Sequence, residues 1–421
     1  MLIRSLSILA AFWLLFISPT LTTHASELDE AVVVSIDQPG LNADQLGVIV
    51  NDNDPESVAI ASYYMERRGI PDINLIHVRF APGQPNLPHR EFAPIKRIVD
   101  NAASSKIQAL ALTWAQPYRV DCMSITSAFA FGFDKAYCAD GCKPTKPSPY
   151  FDSASTLPYK SYRIRPTMSL AAYTLDDTKR LIDRGIASDG KNPDGAAYLV
   201  STDDGARNVR AVTFDQTRTL MRKTIPIDIV KANFIEHKRD VMFYFTGAIN
   251  VPHIKDNVYL PGAMADHLTS AGGDLFDNGQ MSILKWIEAG ATGSYGAVAE
   301  PCNFLQKFPV PAVAMAHYVQ GETLIEAYWK SVFMPGQGIF IGDPLARPFS
   351  GFSSNYSANE LRVEARVIAP GFYSVEVAPS MVGPYREAGK IRVGWGTRAI
   401  KLDGVKPGFF RFQRITVKHS G

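Results

Sequence analysis

The chain has 421 residues, more than one compact domain of ordinary size holds, so two or three folding units are expected. Its 43 Lys plus Arg nearly cancel its 41 Asp plus Glu, and no basic run is interleaved with aromatics, which excludes the electrostatic footprint of a nucleic-acid binder. A hydrophobic content of 46% with 11% aromatics excludes a disordered or fibrous chain.

In chain order, Arg4, the apolar stretch from Leu6 to Ile17 and the small residues of Thr23-His24-Ala25 predict a secretory signal peptide over residues 1–25, with an uncleaved anchor as the alternative. No later run reaches the ~18 apolar residues of a membrane-spanning helix, so the mature chain is expected to be exported, periplasmic or secreted, without a membrane span. Leu46 to Asn51 reads as a strand. Asp54-Pro55-Glu56 supplies an N-cap, a first-turn proline and a first-turn acid for a helix carrying Val58, Ala61 and Met65, which Gly69 ends. Asn74 to Phe80 is a second strand, Arg90 to Ala103 a helix and Ile107 to Thr113 a third strand. Strands alternating with helices predict a mostly parallel α/β sheet flanked by helices.

Residues 116–167 break the rhythm and read as a long insertion rich in Pro, Ser and Tyr. Alternation resumes with a helix near Asp176 to Ala187, a strand Ala196 to Ser201, a helical region after Asp204 and a buried strand Val241 to Thr246. A helix Ser282 to Ala289, a strand Gly293 to Ala299, a helix Glu322 to Val332 and an edge strand Ile339 to Ile341 complete a first domain over 45–350. Beyond Ser350 the period changes to two. Leu361, Val363, Ala365 and Val367 alternate with Arg362, Glu364 and Arg366, and further strands are expected around Tyr373 to Val377, Ile391 to Trp395 and Phe410 to Val417. Residues 355–421 therefore predict a small, immunoglobulin-like β-sandwich.

Export permits disulfides, and Cys122, Cys138 and Cys142 cluster inside the insertion, which predicts one pair among these three and leaves Cys302 over. In open parallel sheets ligands bind beyond the carboxyl ends of strands. That rule selects Asp52 and Asp54, then Asp203 and Asp204, as an acidic crest for a cation or a basic group, although N-capping and turn formation use the same residues. It also selects Gly247 and Asn250, and Glu300 with Cys302. Cys302 paired with His253 or His317 would form a thiol hydrolase, with backbone N–H groups near Gly247 or Gly272 facing the oxyanion. Gly293-Ser294-Tyr295-Gly296 falls short of a nucleophile elbow because Thr292 precedes it, and neither a dinucleotide nor a nucleoside-triphosphate loop follows the first strand. No cofactor or metal is indicated.

Gly290-Ala-Thr-Gly-Ser-Tyr-Gly296, Glu300-Pro-Cys-Asn-Phe304, Gln306-Lys-Phe-Pro309, Phe340-Ile-Gly-Asp-Pro-Leu-Ala346, Asp54-Pro-Glu-Ser57 and Arg67-Arg-Gly-Ile-Pro71 resemble a bacterial family without an assigned reaction, found in species carrying exosortase, the PEP-CTERM sorting system. More remotely, the layout is similar to gingipain-type cysteine peptidases of the caspase-like (flavodoxin-like) fold, which place a small immunoglobulin-like domain after the catalytic one. Gly342-Asp343-Pro344 matches a motif near the end of that catalytic domain, which makes Asp343 a candidate. Ala248 stands where those enzymes carry histidine, and Leu268-Thr-Ser-Ala-Gly-Gly273 lacks the cysteine expected there. The resemblance implies an accessory protein that binds a protein or envelope component on a degenerate peptidase-like scaffold, with the thiol hydrolase as the alternative.

Overall fold

The computed structural model describes residues 32–415 apart from 38, 140, 277 and 278, so the signal peptide and the end of the last expected strand lie outside the described residues. The chain starts with a short strand, β1 (Val33–Ile36), and enters the α/β region through β2 (Leu46–Asn51), every residue of which is buried. Helix α1 (Pro55–Arg68) begins where Asp54 Oδ1 accepts the Glu56 N–H at 3.0 Å and ends on Gly69 at φ 62°. Then come β3 (Leu75–Val78), α2 (His89–Ala102) and β4 (Ala109–Leu112).

The expected insertion proves more integral than an appendage. It holds a two-stranded ribbon, β5 (Arg119–Val120) and β6 (Met123–Ser124), then α3 (Ile125–Phe131) and α4 (Pro158–Tyr162). Ile125 through Ala130 of α3 are all buried, and the excursion returns as β7 (Thr167–Ser169), a core strand beside β4.

The second half runs α5 (Leu175–Ser188), β8 (Ala196–Ser201), α6 (Phe214–Met221), β9 (Ile227–Lys231), β10 (Val241–Gly247) and β11 (Tyr259–Leu268). It continues through α7 (Leu284–Ala289), β12 (Gly293–Ala297), α8 (Pro311–Val319), α9 (Leu324–Ser331) and β13 (Gly338–Gly342). All ten main strands join one sheet in the order β3-β2-β4-β7-β13-β12-β11-β10-β8-β9.

Every pairing in that sheet is parallel except β12 with β13, which run antiparallel from Gly293 opposite Gly342 to Ala297 opposite Gly338. The sheet therefore consists of two parallel halves pointing in opposite directions, and their carboxyl ends emerge at opposite edges. The expected edge strand Ile339 to Ile341 is instead the seam: Gly-Ile-Phe-Ile-Gly is buried throughout, as a strand covered on both faces must be. A Cβ on Gly342, at φ +155°, would run into Leu324, so glycine lets α9 lie directly on the seam. Side chains alternate between two apolar cores, Val48 and Val50 on one face with Ile49 on the other, Phe243 and Phe245 on one with Tyr244 on the other.

The C-terminal region contributes β14 (Phe352–Ser357), β15 (Glu360–Ala365), β16 (Gly371–Ala378), β17 (Arg386–Val393), β18 (Ala399–Asp403) and β19 (Phe409–Ile415). They form two sheets, β1-β19-β16-β17 and β14-β15-β18, around a shared cluster that includes Leu361, Val363, Tyr373, Val375, Phe410 and Phe412. Strand β1 pairs in parallel with β19, Val33 opposite Phe409, so the start of the described chain completes the C-terminal module. The module is tied to the α/β region by Arg366, whose Nη2 donates to the Asn192 and Pro193 carbonyls at 3.1 and 2.8 Å.

Candidate functional site

The reversal at the seam separates the residues that the strand-end rule grouped. Asp52, Asp54 and Asp343 follow β2 and β13 at one edge of the sheet, whereas Asp203, Asp204 and Asn250 follow β8 and β10 at the other, where Gly247 is the last residue of β10. The four aspartates of the expected acidic crest do not meet. Asp52 instead takes His77 Nδ1 at 2.7 Å and Arg79 Nη2 at 2.9 Å, and the His77 hydrogen bond leads the effects that hold its carboxyl below the usual range. Asp54 is spent on the α1 cap.

Asp343 is a structural group. Its carboxylate is fully buried, accepts the Tyr64 hydroxyl at 2.7 Å through Oδ1 and ion-pairs with Arg68 through Oδ2. Arg68 also grips Asp189 at the end of α5, so one guanidinium ties α1, α5 and the exit of β13 together. No solvent-facing atom of Asp343 is left for a ligand, which corrects its reading as a binding residue.

The thiol dyad is corrected as well. Cys302 is not left over: its sulfur is bonded to Cys142, and Cys122 is bonded to Cys138, with Cα atoms 5.5 Å apart in each pair. A sulfur in a disulfide has no thiolate to attack with. Glu300 Oε1 accepts the Cys302 N–H at 2.7 Å and so shapes the turn that presents the disulfide. His253 is exposed beside the segments entering β10 and β11, its Nδ1 2.7 Å from Asp256 Oδ2. His317 is buried between Asp152 and Glu322, each 3.1 Å from one ring nitrogen. Burial opposes the charge on His317, yet Glu322 and Asp152 outweigh it and hold its pKa above the ordinary value, which favours the charged ring in a chain of acidic and basic groups that continues to Lys330.

The polar residues that the structure does assemble lie at the carboxyl ends of β8, β10 and β11. Arg210 is buried and donates through Nη1 to Asp266 Oδ1 and through Nη2 to the Thr246 carbonyl, both at 2.6 Å, stapling β10 to β11. Burial drives Asp266 up to about 6 in spite of Arg210. Beside it His267 Nδ1 accepts the Trp286 indole N–H at 2.9 Å, which leaves the proton on Nε2, 3.0 Å from the Met281 carbonyl. With both nitrogens occupied and its pKa pushed down to about 3, first by burial and then by the charges of Arg210 and Arg207, His267 is a neutral structural ring.

Around this buried layer the surface opens. Arg207 is 24% exposed, with Nη1 3.1 Å from Asp204 Oδ2 and Nε donating to Thr269 Oγ1 at 3.0 Å. Ile249 and Asn250 stand exposed on the chain leaving β10, and the Ile249 carbonyl is held by the Met281 N–H. Gly247 is required there: a side chain would strike the Arg207 carbonyl, while Thr202 Oγ1 donates to the Gly247 carbonyl at 2.6 Å. Asp203 and Asp204 thus orient this rim: Asn233 accepts the Asp203 N–H, and Asp204 pairs with Arg207.

Arg207, Arg210, Asp266, His267 and Trp286 escape the sequence reading. The available signal was the apolar run Ala263-Met-Ala followed by Asp266-His267, the same apolar-then-polar pattern that marks the other strand ends.

No protein-family model matches the chain, and no curated protein matches it. Among solved structures, one described as that of a protease aligns over 90% of this chain and 98% of its own at 10% identity and a TM-score of 0.38. The complex of the pro- and mature domains of RgpB from Porphyromonas gingivalis aligns over 88% and 100% at 10% identity and a TM-score of 0.41. Scores this low carry no argument about this chain's chemistry.

Proposed function

We propose that the protein is an exported, non-catalytic binding protein that engages a protein or an envelope component through the rim of Asp204, Arg207, Ile249 and Asn250, in bacteria with an exosortase/PEP-CTERM system. The observation that carries this reading is the Cys142–Cys302 disulfide, which removes the one sulfur placed after a core strand from nucleophilic use. Two disulfides suit an oxidising compartment, and among the described residues no helix is long and apolar enough to cross a membrane. The sequence motifs shared with the exosortase-associated family supply the context, and the C-terminal module serves as a small immunoglobulin-like domain.

The test is incubation with unfolded casein, before and after mild reduction, alongside retention of envelope-fraction protein on the immobilised full-length chain. The binding reading expects no cleavage under either condition and retention that Arg207→Ala and Asn250→Ala weaken. Cleavage that Cys302→Ala abolishes would replace it with the thiol-hydrolase reading.

A further inference from the structure

We propose that Glu236, His253 and Asp256 form a binding site for a borderline divalent metal ion, zinc or a neighbouring first-row ion, at the amino ends of β10 and β11. These residues lie on the segments that enter the two strands, which are already joined where Val258 N–H donates to the Lys238 carbonyl at 2.8 Å. One ligand atom from each of the three falls within 4.8 Å of the others. His253 Nδ1 is 2.7 Å from Asp256 Oδ2 and 3.7 Å from Glu236 Oε2. An ion held tetrahedrally by bonds of about 2.0–2.1 Å sets its ligand atoms roughly 3.3 Å apart, and the two spacings to His253 Nδ1 lie on either side of that value.

The scaffold holds this arrangement in advance. Asn257, 5% exposed, is clamped between the two segments: its Nδ2 donates to the Ile235 and His253 carbonyls at 2.9 and 3.0 Å, and its Oδ1 accepts the Lys238 N–H at 3.0 Å. The Phe234 ring packs on the His253 imidazole with centroids 4.6 Å apart, which fixes the plane of the ring. His237 Nε2 lies 4.0 Å from Glu236 Oε2 but outside the three-residue cluster, so the fourth position is left to water. In the ion-free arrangement the Nδ1 proton sits between His253 and Asp256, and the metal ion takes its place. An imidazole beside two carboxylates favours zinc-like ions over magnesium or calcium, which prefer oxygen throughout. Sequence spacing alone did not suggest the site, because Glu236 precedes β10 while His253 and Asp256 follow it.

The experiment is calorimetric titration of zinc chloride into the untagged, chelator-stripped full-length protein, with calcium and magnesium chloride as parallel arms. The expected result is one zinc ion per chain, bound at least tenfold more weakly by His253→Gln and by Glu236→Gln, with Asp52→Asn unchanged. The same variants should lose the zinc-dependent rise in melting temperature, while circular dichroism confirms that they are folded. No zinc binding, binding that survives both substitutions, or calcium binding as tight as zinc would each overturn the proposal.

Discussion

The two carboxyl edges of the sheet were selected by one rule, and they are used in opposite ways. At the edge of β2, β4, β7 and β13, the best-placed polar residue, Asp343, is sealed inside an ion-pair knot with Arg68, Asp189 and Tyr64. At the edge of β8, β10 and β11, a buried staple of Arg210, Asp266 and His267 carries an outer rim of Arg207, Ile249 and Asn250 that solvent reaches. The comparison teaches that a polar residue ending a buried strand is a site candidate only if the helices packed there leave it uncovered. Where α1 and α5 close over the strand ends, the same residue becomes a structural bridge.

The sharpest way to break the comparison is Asp343→Ala. It leaves the buried Arg68 guanidinium with only the partly exposed Asp189 and the buried Tyr64 hydroxyl without its acceptor, and a loss of about 3–5 kcal/mol is expected in denaturant unfolding. A loss within the scatter of surface substitutions would mean that the knot is not the cement described here.

The staple is tested through pH. His267 has a folded pKa of about 3 against an ordinary 6.5, so its contribution is present above 6.5 and is lost as the pH falls towards 3. Asp266, raised to about 6, has the opposite sign: its contribution is present below the ordinary 3.8 and is lost as the pH rises through 6. The difference between wild type and His267→Gln isolates the histidine. It should move by about 1.4 kcal/mol per pH unit, or about 2 kcal/mol between pH 6.5 and 5, in favour of the variant as the pH falls. A pH-independent difference would contradict the neutral, buried ring.

Gly185→Ala sharpens the first region further. Alanine ordinarily gains up to about 1 kcal/mol over glycine inside a helix. Here its Cβ would press into the Asp343 carboxylate, so a net loss of about 1–2 kcal/mol is expected from thermal unfolding. Smallest of all is Arg207→Ala, a partly exposed ion pair whose loss should cost less than about 1 kcal/mol in thermal unfolding while, on the proposed binding function, still reducing retention.

Much of the architecture was legible because its signals are local. Asp54, Pro55 and Gly69 bracket α1 by chemistry contained within a few residues, and the structure places that helix within a residue of its expected ends. The period-two pattern of Leu361 to Val367 likewise marks β15. Strand β11 was missed because Pro261-Gly262 opens it and Asp266-His267 closes it, a profile that reads as loop until Arg210, far along the chain, neutralises the aspartate. Strand β7 has three residues, too few for any period to show. The reversal at β13 is invisible in sequence, since Gly-Ile-Phe-Ile-Gly is apolar whichever way it runs. The partner of Cys302 lies 160 residues away, and no spacing rule joins them.

The measurement that tests the account most directly is the oxidation state of Cys302 in the full-length protein recovered from cells. Free thiols are blocked with iodoacetamide before a non-reducing digest is mapped by mass spectrometry. The account predicts no alkylated cysteine and a cross-linked peptide pair containing Cys142 and Cys302. An alkylated Cys302, in protein that cleaves casein and loses the activity on Cys302→Ala, would contradict it and restore the thiol hydrolase.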